Sequence, residues 1–300
     1  MTAPQTRQSP RAHRSPAVDS GAGVSYCEAP RTALETGRPS PARITDHLLG
    51  GKDALPTDRR AAERLIAAVP TIGQAVQARR WFVERAVRHL AREEDVREWL
   101  VLGAGLPTQP PLHAVIQEEQ PDARVLHIDA DPLVLSHLRA RLSCPLPGRL
   151  TVAQGDLREP AVLLGTDAMR QALDAGRPVA VVLETVLEHI PDQEDPAGLV
   201  AELVEALPSG SFVVVSHATA DFAPAMWALL VEIYESVGIP IVPRREEDVA
   251  ALLDGLLLPG LVPVNQWHPD DQAMAVLSPE VVSRYGAIGR VGQPSAVGVR

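Results

Sequence analysis

An open, mostly parallel α/β sheet with helices on both faces is the fold class predicted from the sequence, and three observations predict it. Five short apolar runs recur between Trp99 and Ser216, separated by segments of helical periodicity. Their ends keep a regular pitch. Gly103, Asp129, Asp156 and Glu184 fall 26, 27 and 28 residues apart, as successive strand–helix–strand crossovers require. The first four of these runs end on glycine or acid, and in a parallel sheet such ends face one crevice, where ligands bind.

Residues 1–41 carry six prolines, five arginines and no apolar periodicity, which reads as a disordered tail. Residues 42–95 read as a helical cap. A short helix from Ala42 breaks at Gly50-Gly51, and a second helix follows, with Thr57 or Asp58 as its cap. A longer helix from Thr71 is marked by Ile72, Ala75, Val76, Val83, Ala86, Val87 and Leu90 at helical spacing.

Residues 96–290 form the main domain. Its first strand, EWLVL, runs into Gly103-Ala104-Gly105, and glycine there admits unusual backbone angles and close approach of a ligand. A helix over Pro111–Glu118 leads to strand Arg124–Ile128, then helix Leu133–Leu142 and strand Arg149–Ala153. Strand Pro178–Leu183, helix Pro196–Leu207 and strand Ser211–Ser216 complete the alternation. Helices over Phe222–Val237 and Arg244–Asp254 follow. Leu261–Trp267 and Ala273–Leu277, around the turn His268-Pro269-Asp270-Asp271, read as an antiparallel pair at the sheet edge, and 291–300 as a C-terminal tail.

Composition narrows the function. A formal charge of −10 and 3% aromatics argue against a nucleic-acid partner. No apolar run reaches the ~18 residues of a membrane span. Cys27 and Cys144 make neither a disulfide framework nor a metal knuckle, which points to the cytoplasm; no metal site is expected. Lys52 is the single lysine among 28 basic residues, a hint that its compact ammonium is used.

The acidic strand ends suggest an adenosine. A carboxylate at Asp129 suits a ribose diol, Asp156 suits an adenine amino group while the Leu157 N–H donates to a ring nitrogen, and Glu184 lies near the reacting end. Diphosphate fits poorly. Thr108 stands where G-x-G-x-x-G needs its third glycine, and an acidic rim repels phosphate but favours a cationic sulfonium. S-adenosylmethionine meets that description.

The segments ARITDHLLGGKDALPTDR, LGAGLPTQ, HIDADPLVLSHLRARL, GDLREP, PVAVVLETVLEHIPDQEDPAGLVAELVEALPSGSFVVVSHAT, PGLVPVNQWHPD and YGAIGR resemble the S-adenosylmethionine-dependent methyltransferase family marked by a Leu-Leu-Gly-Gly-Lys-Asp opening, over about Ala42 to Arg290. The resemblance implies a Rossmann-like class I methyltransferase fold, with seven strands in the order 3-2-1-4-5-7-6 and an N-terminal helical addition. Carried over by position, it puts Gly103, Ala104 and Gly105 on the methionyl side of the cofactor, Asp129 with Ala130 at the ribose, and Asp156 with Leu157 at the adenine. S-adenosylhomocysteine would be the product, and a small molecule the acceptor. One position departs: where the family carries an acid two residues before the first glycine, this chain has Val101.

Methyl transfer from a sulfonium is an in-line displacement, so alignment of the reactants supplies most of the catalysis. A base is needed for a hydroxyl acceptor, and His189 and His217, just past the fourth and fifth strands, are the candidates. Lys52 reaches the cofactor carboxylate if the Gly50-Gly51 turn folds over the crevice. Two rivals stand beside this reading: a protein that binds the cofactor or its product without turnover, suggested by Val101, and a dinucleotide-dependent oxidoreductase, disfavoured by Thr108.

Overall fold

In a computed structural model, the described residues are 18–20, 24–26, 35–146, 149–174, 176–257, 259–268 and 277–292. The five expected parallel strands form: β3 (Glu98–Leu102), β4 (Arg124–Asp129), β5 (Leu150–Gln154), β6 (Val179–Glu184) and β7 (Phe212–Ala218). Their alternate residues sort to opposite faces, as a period of two demands. Trp99, Val101, Val125, Val182 and Val214 pack into one apolar cluster; Leu100, Leu102, Leu126, Val181 and Val213 pack into another. Burial on both faces explains why the strands read as continuous apolar runs rather than alternating ones.

Two strands precede these, β1 (Val18–Ser20) and β2 (Val24–Tyr26), within the segment read as a tail. The outer side of β7 takes an antiparallel strand, β10 (Arg284–Val291), against which β8 (Leu256–Leu257) and β9 (Val262–Pro263) lie as two pieces of one interrupted edge. The sheet runs β1-β2-β5-β4-β3-β6-β7-β10-β8. Counted from β3, with β8 and β9 taken as one strand, its core has the expected order 3-2-1-4-5-7-6. The antiparallel strand was expected elsewhere. Val262–Pro263 does fall in the first segment expected to be a strand, but its partner is Arg284–Val291. Of the second expected segment and the turn before it, residues 269–276 lie outside the described residues. β10 mixes Arg284, Gly286, Gly289 and Arg290 among its apolar residues, so its pattern is weak even though most of it is buried.

Three N-terminal helices, α1 (Pro41–Leu48), α2 (Pro56–Ala68) and α3 (Ile72–Glu93), precede β3. Between the parallel strands run α4 (Leu112–Glu119), α5 (Pro132–Arg141), α6 (Pro160–Leu164), α7 (Asp167–Leu173) and α8 (Pro196–Glu205). α3 packs on the sheet through Phe82, Val83, Ala86, Val87 and Leu90. With α9 (Pro224–Glu235), which follows β7, α1 and α2 form a third apolar cluster through Ile44, Leu65, Trp227 and Leu230. That cluster holds α1 over the carboxyl ends of the strands. Asp58 is not the cap of α2 but its third residue. From there its fully buried carboxylate accepts from the N–H of Leu55 at 2.8 Å, the N–H of Ser40 at 2.9 Å and Arg43 Nε at 2.8 Å. Arg43 also donates to Asp131 Oδ2 at 3.2 Å, tying the helical cap to the loop after β4.

Candidate active site

The turn after β3 is shaped by two glycines in the left-handed region, Gly103 at φ 63° and Gly105 at φ 66°. A Cβ on Gly103 would come within 2.6 Å of Val186 Cγ2, whereas one on Gly105 would project into open space. The Gly105 N–H donates to Asp129 Oδ2 and the Asp131 N–H to Oδ1, both at 2.9 Å. These two bonds fix the Asp129 carboxylate in place.

No basic side chain is hydrogen-bonded to Asp129 among the described residues, and it is 9% exposed. Burial raises its pKa to about 6, against the opposing pull of the backbone N–H donors. Asp131 takes a different role: it caps α5 by accepting from the Leu133 N–H and receives Arg43 on its other oxygen. Asp156, after β5, accepts from the Arg158 N–H at 2.9 Å.

At the end of β6, Glu184 pairs with Arg79 Nε of α3 at 2.8 Å. Thr185 follows at φ 58°. A β-branched residue in that region is strained, and such strain concentrates where a chain must present a group to a ligand. Glu188, one turn on, is fully withdrawn: Arg284 of β10 grips both oxygens, at 2.6 and 2.7 Å, and the Ala218 N–H adds a third bond at 2.9 Å. Although burial opposes ionisation, the Arg284 guanidinium holds this carboxyl well below the usual carboxylate range.

All the expected cofactor residues (Lys52, Gly103, Ala104, Gly105, Asp129, Ala130, Asp156, Leu157 and Glu184) line one cleft of ≈ 1100 Å³, together with His189. His217 does not. It is 0% exposed and lies inside the molecule, with Nδ1 2.7 Å from the Ala218 carbonyl and Nε2 3.0 Å from Arg244 Nη1. A carbonyl only accepts and a guanidinium only donates, so the proton sits on Nδ1 and the Nε2 lone pair is occupied. Burial lowers its pKa to about 4. The expectation of His217 as a base is therefore corrected: the side chain is buried scaffold.

His189 has the same tautomer with a different consequence. Its Nδ1 donates to the Pro240 carbonyl at 2.7 Å, and no described residue takes Nε2. Burial lowers its pKa, so the imidazole is neutral at neutral pH.

Val101 is buried in β3 between His127 and Val182 in register. Arg43, Arg79 and Thr185 were not identified from the sequence. Arg79 left a trace: it stands three residues after Val76 and four before Val83, inside the apolar stripe of α3. Arg43 left none, since its partners lie 15 and 88 residues away.

Over residues 27–292 the chain matches the model of the S-adenosyl methyltransferase family. A DUF574 family protein from Streptomyces avermitilis MA-4680 is 36% identical and superposes with a TM-score of 0.82, covering 86% of this chain and 100% of that one. A protein from Thermobifida fusca YX, solved as a proposed methyltransferase, is 31% identical with a TM-score of 0.79, over 87% of this chain and 97% of that one. No curated protein matches. The chain belongs to the S-adenosyl methyltransferase family, with the Rossmann-like fold of that class.

Proposed function

We propose that the chain methylates a small molecule, with S-adenosylmethionine held across the carboxyl ends of β3, β4 and β5. One observation carries the placement of the cofactor. Asp129 is a buried carboxylate whose oxygens are oriented by backbone donors, with no basic partner among the described residues, at the rim of a cleft large enough for a nucleoside and more. A ribose diol supplies the two further donors that such a group lacks.

The residues present fit the rest of the cofactor. Open space at Gly105 admits the methionyl portion against the main chain, and Lys52 lines the same cleft from the cap. Asp156 and the Leu157 N–H suit the adenine edge. When bound, the cofactor supplies a methyl group already activated on a sulfonium. The chain's own part is to align acceptor and donor and, for a hydroxyl acceptor, to remove a proton. His189 is the base for that step, because its neutral imidazole keeps Nε2 free while Pro240 orients the ring. A cytoplasmic location belongs to the same reading and is supported by the unpaired Cys144 thiol.

Calorimetric titration with S-adenosylmethionine, S-adenosylhomocysteine and NADH tests the reading. Saturable binding of the first two but not the third is expected. Binding of NADH alone would replace the methyltransferase account with an oxidoreductase.

A further inference from the structure

Behind Arg79, Thr185 and His189 lies a second, smaller cavity, which shares those side chains with the main cleft. Its walls are mixed: Leu48 and Val76 on the side of the cap and Met226 and Leu230 from α9 opposite give an apolar part, beside the Glu188–Arg284 pair, whose charges satisfy each other. Three polar groups, Arg79 and His189 where the cavities meet and Tyr234 in the wall of the smaller one, keep hydrogen-bonding capacity that the described residues do not use. Arg79 commits only Nε, to Glu184; His189 commits only Nδ1, to Pro240. The Tyr234 hydroxyl has no described partner, and its ring lies 6.3 Å from that of His189.

Resting on the methyltransferase reading, we infer that this junction holds the acceptor by a weakly acidic hydroxyl, on a phenol-class molecule whose short alkyl substituent enters the smaller cavity. A hydroxyl matches all three groups. Its proton goes to His189 Nε2, and its oxygen accepts from the Tyr234 O–H and the Arg79 guanidinium. An aromatic amine, neutral at neutral pH, offers those two donors only a weak acceptor, and a carboxylate brings no proton for the imidazole.

Size sets the division of the molecule. The smaller cavity is ≈ 40 Å³, whereas a cavity of about 150 Å³ is what accommodates benzene. It therefore takes an alkyl group while the ring stays in the main cleft.

The step balances within this set. As His189 takes the hydroxyl proton, the oxygen forms its bond to the methyl carbon and the carbon–sulfur bond breaks. The electron pair of that bond stays on sulfur, neutralising the sulfonium to a thioether. The imidazolium then returns its proton to water.

The test separates this inference from its premise. Calorimetry first establishes binding of S-adenosylhomocysteine to the wild-type chain; its absence overturns the methyltransferase reading and the acceptor assignment together. The saturated protein is then titrated with 2-ethylphenol, 2-ethylaniline and 2-ethylbenzoate, which share a frame, carry the ethyl group beside the head group as the adjoining cavities require, and differ in that head group. The phenol is expected to bind at least about tenfold tighter than the other two, the cost to the aniline of a weak acceptor facing two donors and to the benzoate of an imidazole nitrogen left without a proton donor.

Ala75 lines the smaller cavity, so Ala75→Leu fills it and should weaken phenol binding about tenfold, the worth of burying two methylenes, without changing affinity for the homocysteine product. Met226→Phe fills it from the other wall, should Ala75→Leu fail to fold. Failure of the phenol to bind, equal binding of the three head groups, or undiminished phenol affinity in a folded filled variant overturns the assignment.

Discussion

Asp129 and Glu188 are both buried carboxylates at or just past the ends of parallel strands, yet they sit in opposite electrostatic settings. Glu188 is saturated: two bonds from Arg284 and one from the Ala218 N–H leave it ionised and committed to joining the loop after β6 to β7 and β10. Asp129 has only backbone donors, and burial raises its pKa to about 6. One side of the crevice spends its acid on structure. The other holds an acid whose only donors among the described residues are backbone N–H groups. The same division separates the two histidines, since Arg244 occupies His217 Nε2 while no described residue bonds His189 Nε2.

The largest expected break in that contrast comes from Arg284→Met. Leaving Glu188 buried without its partner should cost about 3–5 kcal/mol of stability, measured as the shift in a urea unfolding midpoint. Glu188→Gln in the same background should recover part of it. A midpoint within error of wild type for Arg284→Met would show that Glu188 is not held as described.

Asp129→Asn should do the reverse, weakening S-adenosylhomocysteine by about 2 kcal/mol, or roughly thirtyfold, because hydrogen bonds to a charged acceptor are lost. Stability of the ligand-free chain should change little, since loss of a costly buried charge offsets the one backbone N–H, of Gly105 or Asp131, that then faces the amide NH2.

The pH dependence sharpens the contrast further. With its folded pKa near 6 and above the ordinary carboxylate range, Asp129 binds its proton more tightly in the folded chain. Its contribution to stability is therefore present at low pH and lost as pH rises toward 6 and through it. Donors from a ribose favour the ionised form, so affinity for the product should fall by up to about tenfold per pH unit below 6, and that slope should vanish in Asp129→Asn.

The smallest effect is expected from Lys52→Met. An exposed lysine contributes on the order of 0.2–1 kcal/mol to an ion pair, so calorimetry should show a loss of about two- to fivefold in product affinity.

Much of this was legible in the sequence because strand ends are local. An apolar run stopping at Gly103, Asp129, Asp156 or Glu184 announces both the strand and the rim, and those residues line one cleft. What was not legible depends on partners far along the chain. Position alone made His217 equivalent to His189; only the packing of Arg244 against it separates them. β10 was missed because glycines and arginines dilute its apolar pattern, although its Arg284 anchors Glu188 across 96 residues. The strain at Thr185 has no compositional mark, since threonine is the residue type that left-handed turns disfavour.

The central claim is that the charge on Asp129 waits for a ribose. A crystal structure with S-adenosylhomocysteine bound tests it most directly. Both ribose hydroxyls should lie within hydrogen-bonding distance of the Asp129 carboxylate, with the sulfur turned toward Thr185 and His189. A product molecule seated elsewhere, with Asp129 contacting no part of it, would contradict the account.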